Sequence, residues 1–442
     1  MRRLTESLRN ERGTALPVAL MAMAILVPVL LAYAAMTMHE PLIARNHVQG
    51  TQALHAAEAG VEQAHTVLTG STNWSALLRG PDGLANTPDD GLLPFGDNVA
   101  FPPGVANPLG TYSVRIRNDN QQNDNLITGL NAVDGGDQFT DTNSFVILTA
   151  TGRVGTAART VRVVMSRVVL PPFPGALNFP GNEAETLFNG NAFTVNGNDT
   201  NPPGVTNPDP LQPSIFGITV SPDLPAGNPG ANEQVVENSL SNAQKDNVTG
   251  KKQDPAGQPW GNNTVAPDAI LTGAALDQFI NDIVKVANVK LTSTMASPLV
   301  RNNVGNSCAA DINDSNCWGT VDNPKIVYVE GEPDPSSMFA ALSVGGNSSG
   351  AGILVVKDGD FRINGKFNWV GVIIVTGVNV GVGFLGGGEE SVYGGVISNE
   401  TNKDPGFREG VLVGDASIRY SSFGINLART TPPVTIRNWR EP

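Results

Sequence analysis

The spacing of apolar residues along this chain predicts a long helix at its start. Thr14–Met38 reads TALPVALMAMAILVPVLLAYAAMTM, 25 residues without a charge. A helix of that length covers about 37 Å at 1.5 Å per residue, enough for a hydrocarbon core of about 30 Å. Helical spacing continues beyond this run, with Glu58 on the opposite side and a stop at Gly70. The apolar stripe of this second part is Leu54, Ala57, Val61, Ala64 and Leu68.

Two prolines fall inside the uncharged run. Pro17 lies in the first turn if the helix begins at Thr14, where a missing N–H costs little. Pro28 lies in the middle of the run, so we expect a kink or a local loosening of the helix there. In lipid, a neighbouring helix or a local adjustment must then satisfy the freed carbonyl group.

From Thr111 the apolar residues recur at every second position, which is typical of strands. The segment TYSVRIR alternates Tyr112, Val114 and Ile116 with polar residues. The segments SFVILTATG and RTVRVVMSRV follow, on either side of a glycine-containing turn. An antiparallel sheet of these strands could bury the helix stripe on one face. Residues 39–170 are therefore expected to form one unit, an amphipathic helix packed on an antiparallel sheet.

The segment LPPFPG, which starts at Leu170, marks a boundary, and the pattern changes beyond it. Short bursts of Val and Ile follow, each closed by Gly, Asn or Asp. Gly352, Gly371 and Gly395 each precede such a burst, at spacings of 19 and 24 residues. This is a reasonable length for one coil of a parallel β-solenoid, and an antiparallel β-sandwich is the alternative. The predicted fold class is thus α+β and rich in strands.

The pattern predicts that residues 171–442 form one large β-rich exported domain. It contains one amphipathic helix near 268–289, whose apolar side could cap a solenoid end. The apolar residues of that helix are Leu276, Phe279, Ile280, Ile283 and Val286.

Composition and charge exclude several classes of function. The 442 residues include 49 Gly and 32 Pro, which favour short strands joined by tight turns. The net charge of −13 argues against binding to nucleic acid or to an anionic membrane surface. All four histidines lie between residues 39 and 65. The rest of the chain therefore holds neither a Ser-His-Asp triad nor a histidine-ligated zinc ion.

Two local motifs predict a metal site and a disulfide. Asp82, Asp89 and Asp90 could offer oxygen ligands to calcium, although their spacing does not match an EF-hand and a solvated turn is the alternative. Cys308 and Cys317 are a close pair in a chain without other thiols. In an oxidising compartment this pair predicts a disulfide that closes a short loop.

Carboxylates in the glycine-rich region are candidate catalytic groups. KDGDFRING places Asp358 and Asp360 two residues apart, and strand alternation would put them on one face. Glu389 and Glu390 follow in GEESV. A solvated face accounts for these residues as well as a polysaccharide-cleaving site would, so the expectation is that the chain is not an enzyme and carries no cofactor beyond the calcium considered above. The chain also has no P-loop, so an ATPase that drives assembly would be another protein.

The amino-terminal segment resembles a known family. Four arginines precede Gly13, a single apolar helix follows, and AAEAGVEQA comes next. This arrangement resembles the PilX-type family of type IV pilus minor pilins and related pseudopilins. The resemblance implies a basic leader at residues 1–13, removed by a prepilin peptidase between Gly13 and Thr14. It also implies amino-terminal methylation and helix-to-helix assembly with other pilins.

One position departs from the pattern of major pilins. They have a glutamate five residues into the mature helix, and Val18 occupies that position here. The glutamate is thought to compensate the terminal amine of a neighbouring subunit, a charge that is costly in apolar surroundings. Its absence favours a tip or priming role over a repeating shaft subunit.

The implied location is the inner membrane, with the arginines in the cytoplasm and the remainder exported. An ordinary secretory signal is the competing interpretation, because AYA at residues 32–34 fits a cleavage pattern that would leave Ala35 first. The alternative functions are a membrane-anchored adhesin that binds a surface glycan and a polysaccharide-acting solenoid protein. The expected assembly is a type IV pilus or a related secretion pseudopilus.

Overall fold

The structure is a computed structural model that describes residues 15–181, 184–206, 211–222, 231–251, 265–333, 339–401 and 408–441. The chain divides into two compact units. The helices are α1 (Ala15–Gly70), α2 (Trp74–Leu78), α3 (Asn125–Thr128), α4 (Ala231–Ser239), α5 (Asn242–Lys245), α6 (Gly273–Val286) and α7 (Ser422–Thr430).

The first unit comprises residues 1–68, 73–165 and 436–442. Its strands are β1 (Val99–Phe101), β2 (Gly110–Asn118), β3 (Phe145–Val154), β4 (Ala157–Ser166) and β22 (Thr435–Arg440). They form one sheet in the order β1-β2-β3-β4-β22, and the β1–β2 and β2–β3 pairs are antiparallel. The core side chains of β2 are Tyr112, Val114 and Ile116, as their alternation predicts.

The second unit comprises residues 69–72 and 166–435. Its strands before α6 are β5 (Gly175–Phe179), β6 (Thr186–Asn189), β7 (Thr194–Asn196), β8 (Phe216–Val220), β9 (Val248–Thr249) and β10 (Val265–Pro267). Those after α6 are β11 (Val289–Thr292), β12 (Leu299–Asn302), β13 (Lys325–Glu330), β14 (Leu342–Gly345), β15 (Asn347–Lys357), β16 (Phe361–Ile363), β17 (Lys366–Gly377), β18 (Val382–Phe384), β19 (Glu390–Glu400), β20 (Gly410–Val413) and β21 (Ser417–Tyr420).

These strands form two sheets, and the strand pairs in both are parallel. The larger sheet runs β10-β8-β5-β19-β17-β15-β13-β11, with β21, β7 and β9 branching from β19. The smaller sheet runs β12-β14-β16-β18-β20-β6. From β13 to β20 the chain alternates between the two sheets, so each pass places one strand in each sheet beside the strand of the preceding pass.

Alternate residues of the larger sheet face two different cores. Val327, Leu354 and Ile373 lie in the core that also contains Leu342, Phe361 and other residues of the smaller sheet. Their neighbours point the other way and pack with α6 and α7. Because strands buried on both faces cannot show an apolar–polar alternation, they appear in the sequence as continuous Val and Ile bursts.

Helix α6 confirms the predicted amphipathic helix, with Leu276, Phe279, Ile280 and Ile283 buried. It packs on the outer face of the larger sheet rather than at an end of it. The reason is that the outward residues of the strands, among them Ile326 and Ile353, form an apolar face that an amphipathic helix can cover.

The spacing of the coil glycines was predicted wrongly at one position. The strand register pairs Gly352 with Gly371 and Gly371 with Gly394, so the third member is Gly394 and not Gly395. Gly371 has a φ of +132°, and an added Cβ would lie 2.0 Å from the carbonyl oxygen of Gly352. Only glycine fits this close approach between successive strands.

The prediction of a single domain at residues 171–442 is also corrected. Strand β22 lies in the sheet of the first unit, beside β4. The hydroxyl groups of Ser166, at the end of β4, and Thr435, at the start of β22, are 3.2 Å apart. The second unit is therefore an insertion between two neighbouring strands, which short-range patterns in the sequence cannot reveal.

Candidate functional site: the exposed half of the amino-terminal helix

Helix α1 has two halves that differ in exposure. Residues 15–48 are exposed wherever their side chains are described, and the side chains of residues 38 and 39 are not. Large apolar groups make up much of this surface, with Val18 64% and Leu31 66% exposed. Residues 49–70 pack against the first unit through one stripe. A soluble domain rarely exposes so long an apolar surface, so the first half of α1 is the candidate functional site.

The length and composition of this half fit a membrane. Among the described residues, α1 is the one helix long and apolar enough to cross a bilayer, and the same test is passed by signal sequences and by core helices. A core helix would be buried, whereas the apolar window of α1 has no buried residue. Residues 15–38 span about 36 Å, and residues 39–48 extend the exposed helix by about 15 Å more.

The chain remains helical through both prolines in this region, Pro28 and Pro41. Pro41 was not singled out by the sequence reasoning, which ended the uncharged run before it. Each proline removes one intrahelical hydrogen bond and frees a carbonyl group one turn earlier. The hydrogen-bond ladder of the exposed half is therefore interrupted at two positions.

The packed half shows which residues face the sheet. Ala57, Val61, Ala64 and Leu68 are buried, as the stripe predicts. Leu54 is only half-buried, because it lies about 60° around the helix from Ala57, at the edge of the stripe. The buried residues that the sequence reasoning missed are Ala53, Ala56 and Gly60.

Small residues on both elements bring α1 close to the sheet. A Cβ added at Gly60 would lie 2.8 Å from a methyl group of Val114. A Cβ added at Gly152 of β3 would lie 2.0 Å from the carbonyl oxygen of Ala53. The Tyr112 hydroxyl, on β2, donates to the Gln63 side chain of the helix. The second half of α1 is therefore fixed to its sheet by close packing.

The polar side of the packed half faces solvent. Glu58 accepts a hydrogen bond from Nδ1 of His55 at 2.8 Å, and both side chains are largely exposed. An exposed pair of this kind contributes little to stability. This side of the helix is therefore hydrated, unlike the uncharged run at residues 15–38.

The predicted cleavage residues, Gly13 and Thr14, lie outside the described residues. The first described residue of α1, Ala15, directly follows them. The cleavage position therefore rests on the sequence alone.

The carboxylates considered for calcium bind to groups of their own turn. Oδ2 of Asp89 accepts from the backbone N–H of Asp82, and Asp90 accepts from the backbone N–H of Thr87. The Thr87 hydroxyl donates to Asp89, and this bond is the main cause that lowers the pKa of Asp89. In the part of the chain that the structure describes, no three His, Cys, Asp or Glu side chains are placed to hold a metal ion. The geometry is that of the solvated turn.

The two cysteines are bonded to each other, with the sulfur atoms of Cys308 and Cys317 2.02 Å apart. The bond closes a loop between β12 and β13. Lys325 donates to the carbonyl oxygens of Ile312 and Cys317 from the next strand, which holds this loop against the sheet. The role that the geometry supports is structural.

The charged residues weighed for catalysis are engaged with one another. Lys357 forms ion pairs with Glu330 and Asp358, each at 2.7 Å. Asp358 has a φ of +56° and lies in the turn between β15 and β16. Strand alternation therefore does not apply to Asp358 and Asp360, and the expectation that they share a face fails.

The two neighbouring glutamates have different environments. Lys366 pairs with Glu389 at 2.9 Å and lowers the pKa of that exposed carboxyl. Glu390 has no exposed surface, and burial raises its pKa to about 8. Its Oε1 accepts from the backbone N–H of Gly386. Burial thus favours the protonated form of Glu390.

Sequence reasoning also missed a polar loop of the first unit at residues 118–144. Arg117 binds both carboxyl oxygens of Asp124, at 2.6 and 2.7 Å. Asp134 accepts from the backbone and the hydroxyl of Thr142. Burial raises the pKa of Asp141 to about 7, although that carboxyl accepts from Ser144. These bonds hold the loop together. The repeated Asp and Asn residues of the segment were the sequence signal from which a hydrogen-bonded loop could have been predicted.

Comparison with known proteins adds little to these observations. No family model matches the chain. No curated protein matches it either. Among solved structures, the crystal structure of the competence-associated pilin ComZ from Thermus thermophilus is similar at 13% identity and a TM-score of 0.29, over 89% of this chain and 97% of that chain. Similarity at that level assigns neither fold nor function to this chain.

Proposed function

We propose that this chain is a minor pilin-like assembly protein of a type IV pilus or a related secretion pseudopilus. The observation that carries the proposal is the division of α1 into an exposed apolar half and a half that is packed on its own antiparallel sheet. A helix of this kind can be inserted in a bilayer and later packed among like helices, because both surroundings are apolar.

Processing is the first step of this proposal. A prepilin peptidase would cut between Gly13 and Thr14 on the cytoplasmic face, leaving Thr14 as the first residue and a site for methylation. Four arginines before Gly13 support this orientation, since an excess of positive charge marks the cytoplasmic side. The rest of the chain is then exported while α1 anchors it in the inner membrane.

Val18 supports a tip or priming role. If the mature chain begins at Thr14, Val18 is its fifth residue and has no carboxylate to pair with the amine of a neighbour. A subunit within a shaft would leave that amine unpaired in apolar surroundings at a cost of several kcal/mol. A subunit that begins or ends the filament avoids part of this cost.

The second unit is the exported head in this proposal, and we infer that it is a β-solenoid. Parallel pairing of strands one pass apart, as in the Gly352–Gly371–Gly394 register, supports the solenoid over the antiparallel sandwich. A head of nearly 270 residues, inserted between two strands, is bulky for every subunit of a tight shaft. This bulk agrees with placement at an end.

Photo-cross-linking from α1 tests the assembly step. A benzophenone amino acid at Leu26, which is 55% exposed on the apolar half, is expected to give adducts with other pilin-like subunits in cells. Leu126, 70% exposed on the first unit, is the matched control and should give far fewer adducts of that kind. Adducts of Leu26 with lipid only, or filaments and secretion that persist unchanged after gene deletion, would contradict the proposal.

A further inference from the structure

A small cavity opens on the outer face of the smaller sheet of the second unit. Its volume is about 160 Å³, and it lies where β16, β18 and β20 run side by side. The strand register places Arg362 opposite Gly383, and Gly383 opposite Val411. These residues point outward, because their neighbours Phe361, Val382 and Leu412 are in the core.

The cavity exists because the middle position of this row is a glycine. Gly383 has no side chain to fill the space between Arg362 and Val411. Leu385, 38% exposed, folds toward it, and its Cγ would lie 3.3 Å from a Cβ at Gly383. Aliphatic groups and glycine backbone thus form the floor and one wall of the cavity.

A buried carboxylate holds one arginine in place at this cavity. Asp360 is 2% exposed, and its Oδ2 accepts from Nε and Nη2 of Arg362 at 3.2 and 2.7 Å. Its Oδ1 accepts from the backbone N–H of Gly381 at 3.0 Å. Nη1 of Arg362 makes no hydrogen bond with any described residue and keeps its donors for another partner. An arginine oriented from behind in this way presents a ready anion-binding edge.

A second arginine also lines the cavity. Arg408 is exposed, and no described residue forms an ion pair with it. The lining thus contains two arginines and one carboxylate, Asp360, in a chain with a net charge of −13. Their field would favour an anionic group at the mouth.

We propose that this cavity binds a small organic carboxylate with a short apolar body. The carboxylate would meet the free edge of Arg362 and the guanidinium of Arg408, while the body would lie over Gly383 against Leu385 and Val411. The volume is below the roughly 300–1,000 Å³ of sites for drug-sized ligands, so the ligand is fragment-sized. The aliphatic walls favour this ligand over a bare inorganic anion, which gains nothing from apolar contact.

Fluorine NMR of 4-fluorobenzoate with the full-length protein in detergent micelles tests the proposal, after subtraction of binding to micelles alone. We expect binding to wild type and to Arg153→Gln, an exposed arginine of β3 that serves as the matched control. Arg408→Gln should weaken it about tenfold, and so should Arg362→Gln. Val411→Phe should abolish it by filling the cavity from the outer face.

Two comparisons separate the carboxylate from other ligands. Neutral 4-fluorobenzyl alcohol should bind at least tenfold more weakly than the benzoate, and equal concentrations of inorganic phosphate should not displace the benzoate. Arg362→Gln leaves Asp360 buried without its partner, so a thermal melt is needed to show whether that variant is folded. If it is not folded, the result is read from Arg408→Gln and Val411→Phe. The proposal is overturned if the benzoate does not bind to wild type, or if it binds to these two variants as tightly as to wild type. It is also overturned if the alcohol binds as tightly as the benzoate, or if phosphate displaces the benzoate.

Discussion

Burial changes the pKa of the Glu390 side chain. Its side chain has no exposed surface, its Oε2 has no hydrogen-bond partner among the described residues, and burial raises its pKa to about 8. The ordinary glutamate value is 4.5. Between these two values the folded state holds a proton that the unfolded state has released, so the stability of the second unit falls as the pH rises through this window.

Glu390→Gln should remove this contribution, because an amide does not titrate. The difference in unfolding free energy between variant and wild type is expected to grow in favour of the variant from pH 5 to pH 8, by at most about 1.4 kcal/mol per pH unit. Denaturant unfolding at several pH values measures it. Glu389→Gln is the control, since that exposed carboxyl is ionised in both states here. Equal pH slopes for Glu390→Gln and wild type would contradict the assignment.

Gly152 sets the distance between α1 and its sheet. An added Cβ would lie 2.0 Å from the carbonyl oxygen of Ala53 and 2.6 Å from the amide nitrogen of Ala57. Gly152→Ala should therefore destabilise the first unit by about 1–3 kcal/mol, the usual cost of overpacking. Gly70→Ala is the matched control, because nothing lies within 4 Å of its Cβ. Thermal unfolding compares them, and equal melting temperatures would argue against this close packing.

At the scale of elements, the Cys308–Cys317 bond closes a short loop beside β13. The chain-entropy model gives about 2–3 kcal/mol for a loop of nine residues. Replacing both cysteines by serine should cost about that amount in denaturant unfolding of the second unit. A reductant should lower the stability of wild type and leave the double variant unchanged. If a reductant does not change the unfolding free energy of wild type, the disulfide contributes nothing to stability.

Elements with a local signal could be predicted from the sequence. The period of Ala57, Val61, Ala64 and Leu68 predicted the packed half of α1, and the apolar side of α6 was predicted residue by residue. Both signals arise within one helix. The identity of Gly394 as the third coil glycine was missed, because it depends on register with the neighbouring strand rather than on the burst that follows it.

Features that join distant parts of the chain could not be predicted in this way. The hydrogen bonds of the Asp360 carboxylate depend on Arg362 and on Gly381, which lies 21 residues away in the next pass of the chain. The cavity beside them depends on the register of three strands. The helix surface that we propose for assembly could be predicted from the sequence, because it is a continuous run of apolar residues that does not depend on contacts with the rest of the chain.

At the scale of the whole molecule, the second unit is inserted between β4 and β22 of the first. The first unit thereby contains both α1 and the sheet on which it packs, although the insertion separates β4 from β22 in the chain. Ser166 and Thr435, where the chain leaves and returns, are in contact. The chain therefore enters and leaves the second unit at neighbouring residues, as it would enter and leave a hairpin turn.

We propose that α1 stays attached to the mature protein as an assembly helix. The first residue of the protein extracted from membranes tests this most directly, by amino-terminal sequencing or by mass spectrometry. We expect Thr14, and Met1 in cells that lack the prepilin peptidase. Ala35 would show that the apolar run had been removed as a secretory signal, and Met1 in cells with an active peptidase would show an unprocessed anchor. Either result would rule out processing at Gly13 into an assembly helix.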